Sequence, residues 1–235
     1  MDSTTLVPGN GAAIKTDGAR RLELMQTFGA RYFEPGDQKV VFANKDNLYW
    51  YACYVGMHDI KVEEGDCLWW INAEKTACHM KRGPYSVKSA HFAVLMRGFM
   101  PEEKTTSIVQ RTVLPYVNGC STKQVFPPDR PGDPTLQLLD IPPHSSEQAH
   151  HIHSTVRCVY VLRGSGRSVV GMNKATIEEK LVPGKVVILE PMCPHHFETD
   201  DDHCVVVPFH VWSTTPGVEN IHPMFNGTFM MNQGG

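Results

Sequence analysis

The chain has no apolar run near the ~20 residues that a membrane-spanning helix needs, and no block of lysine and arginine. Its 22 basic and 25 acidic residues leave a net charge of −3. A basic footprint for nucleic acid is therefore missing, and neither a membrane nor a nucleic-acid partner is expected. The first fifteen residues lack a charged stretch leading into an apolar core, so no secretory leader is expected. Seven cysteines, an odd number with no Cys-x-x-Cys, argue against a disulfide framework, and the cytoplasm is the expected compartment. Histidine is scarce early: of twelve, nine lie at or beyond His144, and no His-x-His occurs before residue 150.

The histidines concentrate in Ala149–Gly166, AHHIHSTVRCVYVLRGSG. Residues i and i+2 of a strand share a face, so His151 and His153 aim two imidazoles at one point while His150 points away. Cys158–Leu162 reads as a buried strand closed by a Gly-Ser-Gly turn. Paired neutral imidazoles suit a first-row divalent metal. Further ligands have to come from elsewhere. Val186–Leu189 reads as a strand that ends at Pro191 and delivers His195 and His196, of which strand parity lets only one face inward.

The remaining chain reads as mostly strands. Ala19–Phe28 is a short helix, expected to be a packing element or dimer contact. Leu48–Gly56, Ile60–Val62, Cys67–Ile71 and His91–Gly98 are strands. Residues 115–134, with five prolines and two glycines, read as a linker. Thr135–Ile141 and Cys204–Trp212 are strands, and Phe225, Phe229, Met230 and Met231 make an apolar tail. Tyr54-Val55-Gly56 parallels Tyr160 to Gly164, and Gly65-Asp66 with its following strand up to His79 parallels Gly184 to His196. The chain thus divides into an arm and helix (1–30), a metal-free half (31–115), the linker (116–134) and a metal-binding half with its tail (135–235). The lone His79 is expected to be structural.

These two histidine segments resemble the two motifs of the cupin superfamily. The first motif is His-x-His, three or four residues, usually Glu, six residues, Gly; His151-Ile-His153-Ser-Thr-Val-Arg157, six residues and Gly164 fit it, with Arg157 at the Glu position. The second, Pro-x-Gly-x-x-His after a glycine, is met by Gly184, six residues and Pro191-x-Cys193-x-x-His196, with one extra residue and Cys193 replacing the glycine. The resemblance implies an all-β cupin jelly roll, here two cupin-like halves with a short N-terminal helix. It also implies a divalent metal on His151, His153 and His196, with His195 as competitor.

Arginine does not ligate, because it stays protonated. Allowing four intervening residues after His153 instead gives Cys158, a register similar to three-histidine thiol dioxygenases. Glu190 is a further candidate for the missing carboxylate. Three neutral ligands on Fe(II) would preserve its charge and leave positions for a small anionic substrate and O2. Mn, Ni, Zn and Cu also accept imidazole. Arg157 or Arg163 would hold a substrate carboxylate or else make a surface ion pair, and His210, on an apolar strand, is either a core histidine bonded to a backbone carbonyl or an acid/base group facing the metal. Cys193 and Cys204 are read as small buried apolar residues. The leading expectation is a mononuclear Fe(II) dioxygenase acting on a small anionic or enolisable substrate, as a homodimer. A metal-dependent isomerase or lyase, and a non-enzymatic metal or ligand sensor, are the alternatives.

Overall fold

The computed structural model describes residues 18–43, 50–129 and 133–211, and the backbone of Thr228–Met230. One helix, α1 (Gly18–Phe28), precedes the strands. Those of the first half are β1 (Ala30–Phe33), β2 (Lys39–Phe42), β3 (Tyr51–Val55), β4 (His58–Val62), β5 (Asp66–Ile71), β6 (Ala77–Arg82), β7 (Tyr85–Ser89), β8 (Phe92–Arg97) and β9 (Lys104–Ser107). There follow β10 (Leu114–Pro115), β11 (Ser121–Phe126), β12 (Thr135–Ile141), β13 (His151–His153), β14 (Arg157–Gly164), β15 (Gly166–Met172), β16 (Ala175–Leu181), β17 (Val186–Leu189), β18 (His195–Glu198), β19 (Cys204–His210) and β20 (Thr228–Met230). The expected all-β cupin jelly roll with a short leading helix is what these elements form.

The strands stack as layers. A five-stranded sheet, β16-β15-β18-β13-β20, faces a seven-stranded sheet, β1-β17-β14-β19-β12-β11-β10. A six-stranded sheet, β2-β3-β8-β5-β6-β9, lies against the other side of the seven-stranded one, and the β4–β7 pair covers its far side. The central strands of the middle sheet are therefore buried on both faces. That is why β14, β17 and β19 read as unbroken apolar runs instead of alternating ones. On β14, Val159 and Val161 face the five-stranded sheet, while Cys158, Tyr160 and Leu162 face the six-stranded one. Trp69 is the largest side chain in the seam between the halves: its ring centroid lies 4.4 Å from Phe209, 5.3 Å from Phe126 and 6.0 Å from Phe99.

Two boundaries differ from those read in the sequence. Ala30–Phe33 does not start the first half's sheet; it pairs antiparallel with β17, and Arg31 bonds Glu190 at 2.9 Å. Ser121–Phe126 is not linker but a strand beside β12. It contains no proline, and Thr122, Val125 and Phe126 are buried, as their β propensity allows.

The parallel between the halves is real in part. β3 pairs with the late strand β8 as β14 does with β19, and β4 pairs with β7 as β15 does with β18. Gly56 and Gly164 close corresponding strands with φ of +80° and +75°, each backed by a carbonyl that a Cβ would strike. The likeness stops at the middle strands: β5 lies against the late strand β8, whereas β17 lies against the early strand β14. α1 buries none of its residues; an ion pair from Arg21 to Glu179 ties it to β16. No helix among the described residues is long and apolar enough to cross a membrane.

Candidate metal centre

β13 and β18 are neighbours in the five-stranded sheet, and His151 stands directly opposite His195. Alternation then puts His153 on the same face as both. The three imidazoles offer nitrogens within 4.8 Å of one another, and among the described residues they form the set of three metal-capable side chains. Ring centroids are 4.5 Å (His151–His153), 4.6 Å (His151–His195) and 5.1 Å (His153–His195) apart. All three rings are buried.

The expectation for His196 is thereby corrected. It pairs with Val169 and points out of the barrel, where its Nδ1 meets that of His150 at 2.8 Å. Its competitor His195 takes the inward place. The cause is register: the chain turns through Pro191–Pro194 and enters β18 with His195 facing in, and a shift of one residue exchanges the faces of a whole strand.

Second partners orient two of the rings. His151 Nδ1 donates to the Ala149 carbonyl at 2.7 Å, and His195 Nδ1 donates to the Cys193 carbonyl at 2.8 Å. A neutral imidazole holding its proton on Nδ1 presents an Nε2 lone pair. Burial holds all three histidines below the usual imidazole range, His151 at about 3. Neutral rings are the form a divalent cation needs, so the residues present fit such an ion.

Beside the trio is a cavity of about 20 Å³, the room of one water, lined by His153, His195, Arg157, His210 and Glu147. Arg157 is buried, and its Nη2 lies 2.6 Å from His153 Nδ1. His210 also lines the cavity, with Nδ1 3.2 Å from Thr135 Oγ1, and burial, then Arg157, lowers its pKa far below the usual value. Cys158 does not reach it. Arg157 and Cys158 are successive on β14, so with Arg157 inward Cys158 turns into the seam between the halves, against Cys53. Arg163 is exposed at the strand end, and Glu190 is engaged by Arg31. Neither lines the cavity. Cys193 and Cys204 are buried in the apolar core, as expected. His79 stacks on Trp70, with ring centroids 4.8 Å apart, and is not one of the trio. Trp212 and the tail side chains lie outside the described residues.

Glu147 is the residue that sequence reading missed. It sits in an irregular stretch ahead of β13, clamped to β18 from both sides: its N–H donates to the Phe197 carbonyl at 3.0 Å, and its Oε1 accepts from Phe197 N at 3.1 Å. Burial pushes its pKa up to about 7, against the pull of the Phe197 N–H and Arg157. A carboxyl raised in the folded state stabilises the fold while protonated and loses that contribution as pH rises from about 4.5 to 7. In chelator-treated protein, the stability advantage of wild type over Glu147→Gln is expected to fall by about 3 kcal/mol between pH 4.5 and 8. Urea unfolding at a series of pH values reads this; parallel curves for the two proteins would refute it.

The family model of the cupin domain matches residues 137–212. Fold, site and match together make this segment a cupin domain carrying a buried three-histidine cluster. Solved structures of similar fold include the polyketide cyclase RemF from Streptomyces resistomycificus, at 23% identity over 39% of this chain and 63% of that one, TM-score 0.34. A cupin-like protein from Thermotoga maritima is 18% identical over 44% of this chain and 80% of its own, TM-score 0.39. Oxalate decarboxylase from Bacillus subtilis, which has Mn(II) centres, is 10% identical over 78% of each chain, TM-score 0.47. The match to the cyclase thus spans less than two thirds of that chain. Likeness at these identities concerns backbone fold alone. No curated protein matches the chain.

Proposed function

We propose that the protein is a mononuclear metal enzyme, a dioxygenase using Fe(II) on a small anionic or enolisable substrate. The observation that carries this reading is a trio of buried neutral imidazoles with no carboxylate among them, beside a small cavity lined by a guanidinium. A metal held only by imidazoles keeps its full positive charge, and would supply Lewis-acid or one-electron chemistry to an enolate, thiolate or carboxylate. Arg157 would hold the substrate's carboxylate in its planar fork. Glu147 and His210, facing the same space, would accept or return a proton at the substrate. The surrounding apolar residues, Leu139, Val159, Leu189 and Val206, would keep water out.

Those same two proton-handling groups favour a second reading, a metal-dependent isomerase or lyase. Oxygen separates the two. Protein loaded anaerobically with Fe(II) and screened against thiols, β-diketones and catechol-like acids is expected to consume O2 only when both substrate and metal are present. Turnover of any of these compounds under strict anaerobiosis would remove the dioxygenase and leave the isomerase or lyase.

A further inference from the structure

The hydrogen bonds among the three histidines are not equivalent. His151 and His195 each place a proton on Nδ1, satisfied by a backbone carbonyl. His153 Nδ1 instead meets Arg157 Nη2, at 2.6 Å. A guanidinium has donors only, so His153 Nδ1 must be the acceptor, and the single proton of the neutral ring sits on Nε2. That proton has a partner: His153 Nε2 lies 2.8 Å from His151 Nε2, whose lone pair is open because its Nδ1 is the donor to Ala149. The contacts close into one directed chain, from Arg157 through His153 and His151 to the Ala149 carbonyl. In it, two of the three inward lone pairs are engaged, one by a proton and one by accepting it.

We propose that Arg157 and a divalent metal compete for His153, and that a small carboxylate relieves the competition, so that anion and metal bind cooperatively. The proposal rests on the reading of the trio as a metal centre. While the guanidinium donates to Nδ1, the nitrogen facing the trio carries a proton and is closed to a cation. A carboxylate arriving in the cavity offers the guanidinium a two-pronged acceptor, a better match than one ring nitrogen. Once Arg157 turns to it, the imidazole carries its one proton on Nδ1 and opens Nε2, with no net proton gained or lost. Coupling of this kind is reciprocal: the anion strengthens the metal as much as the metal strengthens the anion. Arg157, which takes the place where the family motif has a metal-ligating acid, would then be a positioning residue for the metal and an anchor for the substrate.

Cobalt(II) is a suitable probe, followed by its visible absorption and by calorimetry, in chloride buffer with and without acetate. Wild type is expected to bind Co(II) roughly tenfold more tightly in acetate, and Arg157→Met to bind it roughly tenfold more tightly than wild type without acetate and with little further gain from it, within the usual range of such coupling. Because acetate can also ligate the metal, the variant supplies the baseline for that direct effect. Equal affinities in both proteins with equal response to acetate would overturn the competition while leaving the metal centre standing. Failure of either protein to bind Co(II) would overturn both. Should the variant not fold, the ¹⁵N–¹H correlations of the imidazoles in chelator-treated wild type decide: His153 is expected as the Nε2–H tautomer and His151 and His195 as Nδ1–H, and an Nδ1–H form for His153 would overturn the proposal.

Discussion

With His195 replaced by alanine the protein is expected to bind its metal at least about 100-fold more weakly, whereas His196→Ala keeps wild-type affinity. Structural zinc sites bind with about 10–16 kcal/mol spread over four ligands, so one imidazole is worth about 3 kcal/mol, a factor of roughly 100. His195 stands opposite His151 in the ladder and faces the other two rings; His196, one residue on, faces out to His150. Metal analysis after purification without added metal, with calorimetric titration of both variants, reads the difference. Loss of metal in His196→Ala with retention in His195→Ala would mean that β18 is out of register by one residue, and every inward assignment on it would fall.

The second large effect concerns the seam. Trp69→Ala is expected to destabilise the protein by about 3–5 kcal/mol, the range for removing a large buried aromatic side chain. Total stabilities run to only about 5–15 kcal/mol. Trp69 is buried, and its ring makes edge-on contacts with Phe126 and Phe209 from the other half, besides packing on Phe99. The loss should lower the unfolding of both halves together, read as one cooperative transition by circular dichroism and by tryptophan-independent probes. Two separate transitions, or a loss under about 1 kcal/mol, would show that the halves do not share a core.

The metal pair on β13 was legible because alternation is a local property: His151 and His153 share a face in any register. The choice between His195 and His196 was not, since it depends on which residue of β13 the later strand meets, and the motif count through Pro191 carried one residue too many. Cys158 fell for a related reason. Two different spacings put Arg157 or Cys158 at the site, but consecutive strand residues face opposite ways, so accepting Arg157 excluded Cys158. Glu147 gave no signal beyond lying four residues ahead of His151. Ser-Ser-Glu after two prolines reads as a solvated turn, and only its clamp on Phe197 buries it. Strand Ser121–Phe126 was hidden by the prolines on either side, which bound the strand without entering it. Ala30–Phe33 looked like the start of the nearest sheet, because a partner some 155 residues away leaves no trace in composition.

That far-reaching pairing has a consequence for how the molecule can be divided. A fragment beginning at residue 135 would retain every imidazole of the cluster yet arrive without its own border. The backbone of Val186–Leu189 would lose the amide partners that Ala30–Phe33 supplies, and the buried ammonium of Lys185 would give up one of its two carboxylates, Glu34, keeping only Glu179. An uncovered strand of four apolar residues invites self-association. The half that carries the three histidines is thus not a severable unit but one whose hem is stitched by the opposite end of the polypeptide.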